Sequence, residues 1–147
     1  MLINKTKNLT FFIPEQHENS GVSFMDTGIS AGFPSPADDF NEQRLSLDDE
    51  LVKNKEATFY ARVSGQSMIG AGLDDNDLLV IDRSLEPENN KIAVCFLDGE
   101  FTVKRLRVQH GEVWLQPENP DYPIIKITEA NNFVIWGIVT NVIKKVY

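Results

Sequence analysis

A series of short apolar or alternating segments fills residues 57–146 and constrains the fold more than any other feature of the sequence. Segments rich in Val, Ile, Leu and Phe are typical of β-strands, and the pieces between them, such as LDGE and PENPDYP, carry turn residues. This pattern predicts a mainly β fold, a compact antiparallel β domain of about seven short strands with an extended N-terminal arm. The predicted strands are Ala57–Val63, Leu78–Ile81, Ile92–Leu97, Phe101–Val108, Val113–Gln116, Ile124–Ile127 and Phe133–Val146.

The arm is predicted from the weak periodicity of the sequence up to about residue 37. It ends in GISAGFPSP, where two glycines and two prolines disfavour a continuous helix and bias the chain towards extended conformations. Spaced apolar residues between Asp38 and Val52 predict a short helix or turn that leads into the domain. We therefore expect two parts, an arm at residues 1–37 and a β domain at residues 38–147.

Composition excludes several classes of protein. No stretch approaches the roughly 18 uninterrupted apolar residues of a membrane span, and the N-terminal residues lack the apolar region of a secretory signal, so we expect a cytoplasmic protein without a membrane partner. The formal net charge of −8 argues against tight, direct binding to nucleic acid, because counterion release needs clustered Lys and Arg. The single cysteine, Cys95, excludes an internal disulfide framework.

An acidic run between Asp38 and Glu50 holds six carboxylates and one Arg. Such a run is typical of a solvated face, although it also fits a docking surface for a basic partner. Four further acids at Asp74, Asp75, Asp77 and Asp82 match no calcium loop and indicate a polar turn. The sequence after Gly65 lacks the Lys-Ser/Thr of a phosphate-binding loop, so neither a metal nor a cofactor is expected.

The segment SGQSM, residues 64–68, is the strongest indication of chemistry. A serine placed where a strand gives way to a turn exposes its hydroxyl, and backbone N–H groups nearby can point at an oxyanion. Such a serine is inert until a base removes its proton. The two histidines are poor candidates, because His17 lies in the predicted arm and His110 in a predicted hairpin turn beside Gly111.

A lysine can replace histidine as the base if apolar surroundings lower its pKa from about 10.4 towards 7. Lys104 lies in the strand segment FTVKRL, where alternation places it on one face with Thr102 and Leu106. The competing interpretation is an ordinary solvated strand lysine.

Ser67 in SGQSM, followed 37 residues later (104 − 67) by Lys104 beyond a glycine turn, resembles the catalytic pattern of the LexA/UmuD family of self-cleaving Ser-Lys peptidases. Ala31-Gly32 resembles the scissile bond of that family, with a small residue before the glycine. The resemblance covers about residues 30–147 and is strongest with UmuD-like members. It also rests on the segments Phe33–Ala37, Glu42–Arg44, Asp77–Leu79 and Asp98–Lys104.

The resemblance implies a mechanism of acyl transfer. Ser67 would be the nucleophile, Lys104 the general base, and the backbone N–H groups of Gln66 and Ser67 the oxyanion donors. The Ala31-Gly32 bond would be the substrate. An extended segment here could add as a strand beside the active site, although GISAGFPSP also fits a flexible linker.

The resemblance also implies partners and a role. These are a homodimer, stimulation of cleavage by a RecA filament on single-stranded DNA, and service as accessory subunit of a UmuC-type translesion polymerase in SOS mutagenesis. Thirty-one residues before the bond would be too few for the helix-turn-helix domain of a repressor, and the chain offers no anchor for a signal peptidase. A non-catalytic polymerase-binding module, in which Ser67 is structural, remains the alternative.

Three aromatic residues and the cysteine have structural interpretations. Trp114, Phe133 and Trp136 are expected in the core or at a dimer interface. Cys95 lies within an apolar strand segment and is expected to be a small core residue.

Overall fold

The computed structural model describes residues 2–6, 8–15, 21–25, 42–65, 72–117, 121 and 123–146. The chain divides into two compact units, one made of Met1–Pro14 with Asn54–Tyr147 and the other of Glu15–Lys53. In chain order the elements are β1 (Leu2–Lys5), β2 (Leu9–Phe12), β3 (Gly21–Met25), β4 (Glu42–Ser46), α1 (Leu47–Leu51), β5 (Thr58–Val63), β6 (Leu78–Asp82), β7 (Ile92–Leu97), β8 (Glu100–Gln109), β9 (Glu112–Gln116), β10 (Ile125–Lys126) and β11 (Phe133–Ile143).

The larger unit is built on one antiparallel sheet. Across the described residues its nine strands follow the order β1-β2-β5-β6-β11-β7-β8-β9-β10. The mainly β, antiparallel fold that the sequence predicts is confirmed, and each of the seven predicted strands is present as β5 to β11. No helix in the described part of the chain has the length and apolar character needed to cross a bilayer.

Two further strands of this sheet come from the predicted arm. Strand β2 pairs with β5, with Leu9 across from Val63 and Phe11 across from Ala61, and β1 pairs with β2. Leu9 and Phe11 are buried, with 0% and 2% of their surfaces exposed. The first residues of the chain therefore contribute to the core of the larger unit. The sequence did not predict this, because a four-residue strand is stable only through the pairing that it makes.

The smaller unit contains a two-stranded antiparallel ribbon, β3 and β4, and the short helix α1. Helix α1 begins after Ser46, whose hydroxyl accepts a hydrogen bond from the Asp49 N–H over 3.3 Å. Asp48, Asp49 and Glu50 occupy its first turn, where carboxylates are favourable beside the exposed N–H groups. Part of the acidic run thus has a local structural role.

Two clusters of buried side chains lie on opposite faces of β7 and β8. The first cluster is the larger, and it consists of Leu9, Phe11, Ala61, Val63, Leu73, Leu79, Ile81, Val94 and Val103. The second cluster consists of Ala93, Cys95, Leu106, Leu115 and Ile138. Alternation along the strands explains the division, because Val94 and Val103 point to one face and Ala93 and Leu106 to the other.

The sheet curls around the first cluster. The ring of Phe11 in β2 lies 5.0 Å from that of Phe101 in β8 and 4.8 Å from that of Trp136 in β11, measured between ring centroids. These strands are not neighbours in the sheet, so the contacts require strong curvature. The curl brings β2, β5 and β8 around one core.

Candidate functional site

The loop that carries Ser67 begins at the end of β5 and is closed by hydrogen bonds at its base. The Val63 N–H donates to the Asp77 carbonyl and the Asn76 N–H donates to the Val63 carbonyl, both over 2.9 Å. The Gly65 N–H donates to the Asp75 carboxylate over 2.7 Å. Gly65 has a φ of +73°, a backbone conformation that favours glycine. The chain therefore leaves β5 and returns to β6 at fixed points.

Four of the predicted site residues lie outside the described residues. They are Gln66 and Ser67, which follow Gly65 directly, and Ala31 and Gly32 at the proposed scissile bond. Their roles stay predictions.

The N-terminal segment contacts the same loop base. The Ser64 N–H donates to the Asn8 carbonyl over 2.9 Å, and Leu9 pairs with Val63. Ser64 is three residues before Ser67 in the chain. The backbone that leads into the predicted nucleophile is thus held partly by residues from the beginning of the chain.

An ion-pair cluster at the loop base was not predicted from the sequence. The ammonium of Lys144, just after β11, donates to the Asp77 carboxylate and lies 3.1 Å from that of Asp74. Asp77 is buried, with 4% of its surface exposed, and its carboxylate also accepts from the Asp74 N–H over 2.9 Å. The hydrogen bond to Asp77 is the main cause that raises the pKa of Lys144. This cluster joins the side of the loop that leads into β6 to the end of β11.

Lys104 lies in β8, directly across from Ala93 of β7. Thr102 and Leu106 share its face, as strand alternation predicts, and both Ala93 and Leu106 are fully buried. The Lys104 side chain is half-buried. Burial lowers its pKa below the ordinary value of about 10.4, because an ammonium loses hydration in apolar surroundings. No carboxylate among the described residues offsets that effect. The direction of this shift is the one that a role as general base requires.

The curl of the sheet brings β5 and β8 to the same core cluster. Strands β6, β11 and β7 lie between them in the sheet order, yet Val63 at the end of β5 and Val103 of β8 belong to the same core cluster. Lys104 projects from the opposite face of β8 to Val103. The approach of the Lys104 amine to the Ser67 hydroxyl involves a residue outside the described ones and stays a prediction.

The remaining chemical candidates have structural roles. Cys95 is fully buried in β7, where burial raises the pKa of its thiol to about 12, so it is a core residue as predicted. Trp136 packs in the aromatic group of the first cluster, and Phe133 packs against the second. Trp114 lines an open groove together with Arg107 and Lys126. His110 lies in the turn between β8 and β9, as predicted.

The four spaced acids form polar turns. Asp74 and Asp77 face Lys144, and Asp75 holds Gly65. The Asp82 carboxylate accepts from Asn54 over 2.7 Å and from the Ser84 hydroxyl over 2.6 Å, and these hydrogen bonds, against the opposing effect of burial, lower its pKa. Within the described ranges, no group of three or more potential ligands is arranged to hold a metal ion.

Comparison with known proteins gives a consistent set of relatives. Residues 23–140 match the family described as Peptidase S24-like. Protein MucA of Salmonella typhimurium is 43% identical over 131 residues, which cover 84% of this chain and 89% of MucA. Protein ImpA of Salmonella typhimurium is 44% identical over 115 residues, 78% of each chain. Protein SamA of Salmonella typhimurium strain LT2 is 42% identical over 138 residues, which cover 93% of this chain and 96% of SamA.

Proposed function

This chain belongs to the Peptidase S24-like family, in its UmuD-like branch, and from that premise we propose that it cuts its own Ala31-Gly32 bond with Ser67 as nucleophile and Lys104 as general base. Membership of the family makes the chain a serine peptidase of the self-cleaving kind with a role in SOS mutagenesis. The bond, the two catalytic side chains and the partners are the proposal.

The half-buried position of Lys104 among buried apolar neighbours is the observation that carries this assignment. A lysine with its ordinary pKa of about 10.4 is almost entirely protonated at pH 7 and cannot accept a proton from serine. The half-buried position of Lys104 beside Ala93 and Leu106 shifts its equilibrium towards the neutral amine. That shift supports a role as base and is unfavourable for an ordinary structural lysine.

The proposed reaction proceeds through an acyl-enzyme. Neutral Lys104 takes the proton of the Ser67 hydroxyl as its oxygen attacks the Ala31 carbonyl carbon, and the N–H groups of Gln66 and Ser67 stabilise the oxyanion. Lys104 then gives its proton to the amino group of Gly32 as the peptide bond breaks. Water, deprotonated by Lys104, attacks the ester between Ala31 and Ser67, and Lys104 returns this proton to the Ser67 oxygen as the ester bond breaks. The products are residues 1–31 and residues 32–147.

The covalent connection between the proposed scissile bond and the nucleophile favours cleavage. Because the bond and the nucleophile belong to one chain, the reaction can be intramolecular, and orientation can contribute several kcal/mol to lowering the barrier. The small side chain of Ala31 offers little steric hindrance to attack on its carbonyl carbon. Cleavage within one chain and between two copies both satisfy this chemistry.

The proposed partners follow from the family branch. We propose a cytoplasmic homodimer whose cleavage is stimulated by RecA filaments on single-stranded DNA and whose product serves a UmuC-type translesion polymerase. The net charge of −8 supports contacts with proteins in preference to direct, tight contacts with DNA.

Incubation of the purified protein at mildly alkaline pH, followed by mass spectrometry, tests the proposal. Wild type should yield two fragments that meet at Ala31-Gly32, whereas Ser67→Ala and Lys104→Ala variants should remain whole. Lys126→Ala is the matched control, because Lys126 is an exposed lysine in an ion pair with Glu112, and it should cut like wild type. Wild type that stays uncut even with RecA filaments would favour the non-catalytic module.

A further inference from the structure

The residues that the proposed cleavage would detach include two strands of the main sheet. Strands β1 and β2, together called here the N-terminal hairpin (residues 2–12), lie before Ala31, whereas the other seven strands lie after it. Residues 1–14 and 54–147 form a single compact unit. Cutting the chain at Ala31-Gly32 would therefore leave this unit in two covalently separate pieces.

The hairpin is joined to that unit by backbone pairing. Its strand β2 matches β5 at four positions, from Leu9 across from Val63 to Phe12 across from Tyr60. The Asn8 carbonyl extends the pairing by accepting from the Ser64 N–H over 2.9 Å. None of these hydrogen bonds involves a residue near the proposed scissile bond.

Buried side chains add to the pairing. Leu9 is fully buried and Phe11 is 2% exposed, both within the first core cluster. The ring of Phe11 packs against Phe101 at 5.0 Å and against Trp136 at 4.8 Å. Removal of the hairpin would expose these apolar surfaces to water, which is unfavourable.

The turn of the hairpin is also fixed. The Thr6 N–H donates to the Leu9 carbonyl over 2.8 Å, and the Thr6 hydroxyl accepts from the Leu9 N–H over 3.1 Å. These bonds reduce the conformational freedom of the detached piece. Its loss would leave β5 as an unpaired sheet edge beside an apolar surface, a template for strand addition.

We infer that the fragment of residues 1–31 stays bound to residues 32–147 after cleavage, through the N-terminal hairpin. The inference rests on the proposed cleavage at Ala31-Gly32. On this account cleavage opens the chain without removing the hairpin. The processed protein is a complex of two fragments, and Ser64 keeps its partner at Asn8. Another strand that takes the place of β2 on β5 would release the fragment.

Size-exclusion chromatography of the self-cleaved protein, followed by native mass spectrometry, tests the inference. At micromolar concentration both fragments should elute together with the mass of their sum. A labelled synthetic peptide of residues 1–15 should exchange into the cleaved complex, and a scrambled peptide of the same composition should not. Separate elution of the two fragments, or equal uptake of the scrambled peptide, would overturn the inference.

Two matched variants test whether the packing of Phe11 holds the fragment. Phe11→Ala removes the packing on Phe101 and Trp136 and should weaken retention of the fragment by about tenfold or more. Ile13→Ala truncates an apolar side chain that is 42% exposed beyond the end of β2, and retention should stay as in wild type. Retention that survives Phe11→Ala unchanged would show that the hairpin does not hold the fragment.

Failure of the proposed self-cleavage can be distinguished from failure of fragment retention. If wild type does not cut itself, a sequence-specific protease site placed at residues 31–32 of the full chain allows the same cut to be made from outside. Co-elution of the fragments would then support retention although the self-cleavage proposal had failed. Separation of the fragments after that cut would overturn the inference by itself.

Discussion

Lys104 combines two properties that conflict in an ordinary side chain, a charged form at neutral pH and a half-buried position among apolar neighbours. Its pKa is lower in the folded chain than in the unfolded chain, so the unfolded chain binds more protons between the two values. The free energy of unfolding should therefore rise with pH across that window, up to about pH 10.4. This desolvation is the physical basis of the proposed role as general base, because it raises the fraction of neutral amine near pH 7.

Lys104→Met should abolish self-cleavage and raise the free energy of unfolding at pH 7 by about 1 kcal/mol, because it removes a desolvated charge and keeps the packing of the stem. Urea unfolding at neutral and alkaline pH measures this, and the advantage of the variant should shrink as pH rises. The same substitution at the exposed Lys126 should change stability little. A clear loss of stability in Lys104→Met would show that the ammonium is well solvated or paired.

Lys144→Met should act in the opposite direction. It leaves the buried Asp77 carboxylate without its cation, so we expect a loss of about 1–2 kcal/mol at pH 7 and slower cleavage through a loosened loop base. Because the pKa of Lys144 is raised by folding, this stabilisation is present below about pH 10.4 and is lost as pH rises further through the folded value.

Lys144→Arg should retain most of the stability, and the double change Lys144→Met with Asp77→Asn should recover part of it by removing both charges. Urea midpoints and cleavage rates measured in parallel check these expectations. Equal stability of wild type and Lys144→Met would mean that the ion pair contributes nothing to the fold.

The sequence predicted the apolar strand setting of Lys104 but not the ion pair of Lys144, and the difference has a physical cause. The setting of Lys104 follows from strand alternation within a few residues, which the sequence displays. The contact of Lys144 with Asp77 joins residues 67 positions apart and depends on the pairing of β11 with β6. An acidic residue directly before the apolar run LLVI was the available signal that Asp77 is buried.

At the scale of elements, the seven strands of residues 58–143 follow directly from period-2 patterns and turn residues. The N-terminal hairpin does not, because its short segments become strands only against β5. The bounds of β11 were also overestimated, since the predicted segment ran to Val146 and the strand ends at Ile143. Lys144 and Lys145 follow Ile143 and interrupt the apolar pattern, and Val146 is 97% exposed.

Gly137 shows how closely two elements approach. A Cβ atom at this position in β11 would lie 2.5 Å from the Ile81 side chain of β6, at a place where the register of β11 with β7 shifts. Gly137→Ala should therefore destabilise the fold by about 1–3 kcal/mol through overpacking. Thermal unfolding measures this, with Val134→Ala, an exposed position in the same strand, as a control that should change little. A neutral Gly137→Ala would mean that β6 and β11 can separate at low cost.

In the whole molecule, the curl of the sheet brings strands that are distant in the sheet order around one core, and such contacts could not be predicted from the sequence. The order of strands places β5 and β8 apart, yet Val63 of β5 and Val103 of β8 belong to one core cluster, against which Phe101 and Trp136 pack. The catalytic residue pair could be proposed from spacing and family resemblance, whereas the contribution of the N-terminal residues to the same core could not. The larger unit thus consists of residues from both sides of the proposed cut.

The pH dependence of the self-cleavage rate constant shows whether a desolvated amine at Lys104 activates Ser67. The rate constant should rise about tenfold per pH unit from neutral pH and level off below about pH 10.4, because the fraction of neutral amine controls the reaction. A rate that is independent of pH over this range, in a chain that still cuts at Ala31-Gly32, would contradict the lysine base.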